Sequence, residues 1–153
     1  MAKTVTKVLI GEVAVDSGQL MICDPCYIDS QWENEDFEDI RVYKNEHTGR
    51  TLTYPKDFTS YEDVLPEYGK TMNVLISEHD WKITESAEPK SGFSYNACAK
   101  ATLSEDGHGE LKFKLGHVGA GLAFSTAYGD GMYPVYAKYD KDGVIVSVTV
   151  KLQ

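Results

Sequence analysis

Met132-Tyr133-Pro134-Val135-Tyr136-Ala137-Lys138-Tyr139, Asp140-Lys141-Asp142-Gly143 and Val144-Ile145-Val146-Ser147-Val148-Thr149-Val150-Lys151-Leu152 run together as the stretch with the clearest periodicity in the chain. Val144, Val146, Val148, Val150 and Leu152 fall on every second position, with Ser147, Thr149 and Lys151 on the other face, which is the period of a half-buried strand. Tyr133, Val135, Ala137 and Tyr139 alternate in the same way, and the Asp-Gly chemistry between the runs suits a tight turn. Residues 132–152 therefore predict a β-hairpin. Pro134 has no N–H, so its strand is expected to begin at a sheet edge or beside a bulge.

Working outward, Leu122 and Phe124 form a short apolar run ahead of Tyr128-Gly129-Asp130-Gly131, which would make the last three strands a meander. Tyr95, Ala97, Ala99, Ala101 and Leu103 also alternate, and residues 104–109 turn toward Leu111, Phe113 and Leu115, predicting a second hairpin. A third is expected where Val8 to Val15 and Leu20 to Cys23 flank Asp16-Ser17-Gly18-Gln19. The middle differs. It carries Glu33, Glu35, Asp36, Glu38 and Asp39 with only broken apolar pattern, and reads as loops with short helices, one of them over Tyr61, Val64, Leu65 and Tyr68 and limited by Pro66. The expected fold class is mainly β, a β-rich α+β chain: one domain over residues 1–153, an antiparallel sandwich or partly open barrel with an irregular acidic insertion at about 29–90.

The 153 residues hold 15 Lys and Arg against 24 Asp and Glu, a formal charge of −9. A surface of that sign repels phosphate backbones and anionic bilayers, so neither nucleic acid nor membrane is an expected partner. No apolar run approaches the roughly 18 residues of a membrane span, and the start, MAKTVTKVLIGEV, is too polar for a secretory signal, so a cytoplasmic location is expected. The odd cysteine count of Cys23, Cys26 and Cys98 argues for reduced thiols rather than a disulfide framework. Cys23-Asp24-Pro25-Cys26 has C-x-x-C spacing, but no helix pattern follows Cys26 and no histidine pair stands at ligand spacing. No metal or cofactor is therefore expected.

Several groupings could still carry chemistry. Gly116-His117-Val118-Gly119-Ala120-Gly121 could cradle an anion, although the strand-like GLAFSTAY after it excludes a Rossmann or P-loop context and a tight strand connection is the simpler reading. Neither Ser17 nor Ser125 lies in the G-x-S-x-G context of a nucleophile elbow. Asp16, Asp24 and Asp130 could converge to hold Mg²⁺ or act as acid and base; each could equally cap its own turn. Tyr128, Tyr133, Tyr136 and Tyr139, crowded into one segment, suit either a planar ligand or cross-strand pairing.

Val13-Ala14-Val15-Asp16-Ser17-Gly18-Gln19 running into Asp24-Pro25-Cys26-Tyr27-Ile28, and Tyr128-Gly129-Asp130-Gly131-Met132-Tyr133-Pro134-Val135-Tyr136, form two blocks. Together they resemble those of a family of uncharacterised bacterial and phage proteins. The resemblance implies a small β-rich domain and carries no catalytic residue. If the terminal strands are neighbours, both blocks reach one rim. The expected ligand site is then a pocket with Asp16, Ser17, Asp24, Thr126 and Asp130 as polar groups and Tyr27, Tyr128 and Tyr133 as walls. The leading expectation is a module that binds a small polar or nucleotide-like ligand without turnover. Alternatives are a metal-assisted hydrolase of a phosphorylated small molecule using Asp16, Asp24 and Asp130, and an acidic interaction module that engages a host protein. Oligomeric state is not legible.

Overall fold

The structure is a computed structural model that describes residues 7–153. The described chain is mostly β, with several antiparallel sheets, three short helices and no closed barrel. It divides into two compact units.

The first unit joins the described residues 7–20 to Ser125–Gln153. Its sheet is ordered β1(Lys7–Val15), β10(Gly131–Tyr139), β11(Ile145–Val150). The expected hairpin is β10–β11: Val135 faces Val150, Ala137 faces Val148, and Asp140 Oδ1 accepts from the Asp142 and Val144 amides to shape the turn. The alternation places Tyr133, Val135 and Ala137 on one face, beside Val13, Gly11 and Val8 of β1, and Tyr133 and Ala137 are buried.

Two expectations for this region are corrected, and a third is met in one of its two forms: Pro134 sits in the central strand and not at an edge, paired with Glu12 of β1 one residue from the bulge between Leu9 and Gly11. Its carbonyl accepts from Lys151 N at 3.0 Å, so the missing N–H faces the β11 side at the end of that ladder, beyond the last register pair Val135–Val150. β1 and β2(Gln19–Cys23) do not form a hairpin, because β1 pairs with β10 and β2 with β9. For the same reason the last three strands are not a meander. Turn chemistry at Asp16-Ser17-Gly18 was legible in the sequence, but the strands it joins go to different sheets.

The second unit spans Met21–Phe124. One of its sheets is ordered β2, β9(Val118–Ser125), β8(His108–Lys112), with the tight turn of residues 113–117 between β8 and β9. Residues Tyr95–Thr102 form a helix, α3, and not the strand that alternation suggested. Ser94 caps it by accepting from Ala97 N at 3.1 Å, and the small side chains of Ala97 and Cys98 turn into the core. Three alanines in eight residues meet a helix as readily as an alternating strand, and the cap with one-sided burial decides between them. Phe93, Ala97, Cys98, Leu111, Ala120 and Ala123 make one core, against which Met21, Cys23, Tyr27 and Trp32 pack. Gly121 is required there: a Cβ would stand 2.9 Å from the Ile22 carbonyl of β2.

The acidic insertion is more ordered than expected. It holds a sheet of β4(Thr51–Tyr54), β3(Arg41–Asn45) and β7(Trp81–Ser86), the small pair β5(Val64–Leu65) and β6(Lys70–Thr71), and helices α1(Cys26–Ser30), just upstream, and α2(Met72–Ser77). The helix expected around Tyr61–Tyr68 is not formed. Tyr61 instead packs edge-on against Phe58, with ring centroids 5.1 Å apart, and Val64–Leu65 pairs as a strand. Tyr43, Phe58, Met72, Leu75 and Trp81 build a second core from this segment. Aromatic area repays the ordering of a chain whose apolar residues follow no single period.

Candidate functional site

The residues expected at the terminal rim are spread over both units. In the first unit, Gly18 takes φ +65°, its N–H donates to Asp130 Oδ1 at 2.8 Å, and its carbonyl accepts from Thr126 N at 2.9 Å. Thr126 Oγ1 and Tyr133 OH both donate to the Gly129 carbonyl, at 2.6 and 2.7 Å. The VDSG and YGDG blocks thus meet in one knot of turns. Asp130 bridges across to the other block rather than capping its own turn, whereas Asp16, Ser17 and Tyr128 are exposed beside it.

Asp24 and Tyr27 belong to the second unit. Asp24 Oδ1 accepts from Cys26 N at 2.9 Å, and that bond, joined by one from the Cys26 thiol, holds its carboxyl below the usual range. It therefore caps its own turn. Tyr27 stands edge-on to Phe113 with centroids 4.9 Å apart. The five-residue α1 starts at Cys26, so the expectation that no helix follows this residue is corrected. All three cysteines are free thiols; Cys26 is exposed and Cys98 is buried. Burial, with the Cys23 thiol nearby, pushes Cys98 up to about 11, so it stays protonated at neutral pH. Among the described residues no group of three His, Cys, Asp or Glu side chains is placed to hold a metal ion.

A concavity lies elsewhere in the second unit. A groove of about 790 Å³ runs between the β3–β7 sheet, α2 and the end of α3. Its floor is Tyr43 and Trp81, both buried, and half-buried Ile76, Ile83 and Leu103 line its walls. Lys44, Lys82 and His79 stand on the rim with Glu46 and Glu105, and Lys82 Nζ pairs with Glu46 Oε1 at 2.9 Å. His79 has a left-handed backbone, φ +63°, one residue past the C-cap of α2, where its N–H donates to the Ile76 carbonyl at 3.0 Å. That position ordinarily takes glycine. None of these groove residues belonged to the ligand site expected from the sequence. The usable signal was Trp81 and Ile83 alternating with Lys82 and Thr84 inside the insertion, a strand with one apolar and one polar face.

The groove and the knot of turns both fall within the span for which a comparison with known proteins exists. Residues 13–150 match a family described as protein of unknown function, DUF4241. No curated protein and no solved structure matches the chain. With nearly its whole length matched, the chain belongs to the DUF4241 family, in keeping with its resemblance to uncharacterised proteins.

Proposed function

We propose that the protein is a ligand-binding module that holds a small nucleotide-like molecule in the second unit's groove without turning it over. The observation that carries this reading is a non-glycine residue in the left-handed region at the rim of a cavity. Left-handed backbone is disfavoured for residues with a Cβ, and such strain persists where a side chain is needed. Here it presents an imidazole over apolar walls. The volume lies in the range of small-molecule sites, roughly 300–1,000 Å³. Ile76, Ile83 and Leu103 offer a flat apolar body a place to lie, while Lys44 and His79 offer charge or hydrogen bonds to a phosphate or other anionic end. The ligand lies within the small polar or nucleotide-like class expected from sequence, and this proposal gives it a different place. At the terminal turns, the side chains of Asp130, Thr126 and Tyr133 are spent on backbone partners.

A thermal-shift screen followed by isothermal titration, using nucleotides, cyclic nucleotides and ADP-ribose derivatives, tests the proposal. At least one probe should raise Tm and bind with one site per chain. His79→Gly relieves the backbone and should melt no lower than the parent, yet bind about tenfold more weakly, and Lys44→Glu should weaken binding by a similar factor. The proposal fails if no probe shifts Tm, or if both variants bind as tightly as the parent.

A further inference from the structure

The sheet of the first unit, ordered β1, β10, β11, ends in two edges of different character. β1 is guarded: it carries Lys7 and Glu12, and its register against β10 shifts between Leu9 and Gly11. Charges and bulges of that kind keep a further strand from pairing. β11 has no such guard, for neither charge nor proline occurs from Gly143 to Val150. Its one irregularity is the extra residue Val146 between the pairs Lys138–Ser147 and Tyr139–Ile145, which leaves Ser147–Val150 regular. Val144, Ile145, Val146 and Val148 are between 48% and 58% exposed.

This open edge also reads nearly alike in both directions about Val148. Ser147 and Thr149 stand one residue to either side, Val146 and Val150 two, and Val144 and Leu152 four. Laid antiparallel on a second copy, the strand sets Val148 against its own equivalent, Ser147 against Thr149 and Val146 against Val150. Branched aliphatic pairs and hydroxyl pairs are favourable across antiparallel strands. Lys151 falls opposite Ile145, so no like charges meet at the edge, although the chain as a whole carries −9. We infer that the protein forms a two-fold dimer by antiparallel pairing of β11 with β11 of a second copy, joining two three-stranded sheets into one. Residues 144–150 leave on the order of 500 Å² open on each chain, so pairing covers at most about 1,000 Å² in all, the lower limit for a specific interface. The dimer is therefore concentration-dependent and not obligate. Nothing in it depends on the groove.

Sedimentation equilibrium of the full chain over about a 100-fold range of micromolar concentration reads the association. The mass should rise from one chain to two and stop there. Val148→Lys places like charges opposite each other on the axis and should weaken association at least about tenfold, whereas Leu9→Lys, at a comparably exposed apolar residue of β1, should stay within about twofold. Cysteine cross-linking under mild oxidation reads the register. Val148→Cys brings its Cα within about 4.5–5.5 Å of its equivalent and should form an intermolecular disulfide, while Ile145→Cys stands roughly 20 Å from its own and should form none beyond the parent's. The inference is overturned if the chain stays monomeric throughout, which leaves the edge to another partner, or if the mass climbs past two chains. It is equally overturned if Leu9→Lys disrupts association as strongly as Val148→Lys, or if Ile145→Cys cross-links as readily as Val148→Cys.

Discussion

The two units are held by different means. In the second, Phe93, Met72 and Ala123 are fully buried and two separate cores collect most of the aromatic rings. Among the described residues of the first, only Val15, Tyr133, Ala137 and Thr126 are buried, and every residue of β11 except half-buried Val150 is exposed. Its order rests on strand ladders and on the turn knot around Gly18 and Gly129. Burial scales with apolar area, whereas each hydrogen bond has already been exchanged against water. One unit should therefore respond to lost volume and the other to lost partners.

The largest expected effect breaks the second unit. Phe93 is wholly buried and meets Trp32 edge-on, with centroids 5.3 Å apart. Phe93→Ala should cost about 3–5 kcal/mol. The chain's two tryptophans, Trp32 and Trp81, both belong to this unit, so denaturation followed by tryptophan fluorescence reads it selectively. A midpoint equal to the parent's would contradict the assignment of Phe93 to a tight core.

A smaller effect should isolate the first unit. Asp130→Ala leaves the Gly18 N–H without its acceptor and should cost about 1 kcal/mol. Hydrogen exchange should quicken at Gly18 and along β10 while the tryptophan transition stays put. If the tryptophan signal moved with it, the contrast between the units would be too sharply drawn.

The smallest effect at neutral pH concerns Glu35, which ties the acidic segment to the start of α3. Burial alone would raise its carboxyl, but hydrogen bonds from Ser94 Oγ, from the Lys90 and Ser91 amides and from Asn96 outweigh burial and hold it below the ordinary carboxylate range. A depressed folded pKa stabilises fully above the unfolded value and is lost as pH falls through the folded one. Glu35→Gln should therefore lower stability modestly at neutral pH and hardly at all below the folded pKa, so that the acid limb of stability against pH flattens. An unchanged acid limb would remove Glu35 from the groups that set it.

Much of the first unit was legible because its signals are local. The β10–β11 hairpin follows from alternation on either side of an Asp-Gly turn, and the two glycine-containing blocks do meet through Asp130 and Gly18. The second unit was far less legible. The alternation at Tyr95–Leu103 is shared by helix and strand, and the aromatic residues from Tyr43 to Trp81 follow no period that a local reading can use. The groove went unseen because β3, β7, α2 and the end of α3 come from separate parts of the chain.

By itself, then, the sequence determined a mostly β chain, its C-terminal hairpin and the turn residues that need glycine or aspartate, since side-chain period and turn chemistry act over a few neighbouring residues. Tertiary structure alone decided which sheet each strand joined, that residues 95–102 wind into a helix, and that a groove opens over Tyr43 and Trp81. Those outcomes depend on partners far away in sequence, whose packing energy outweighs local preference.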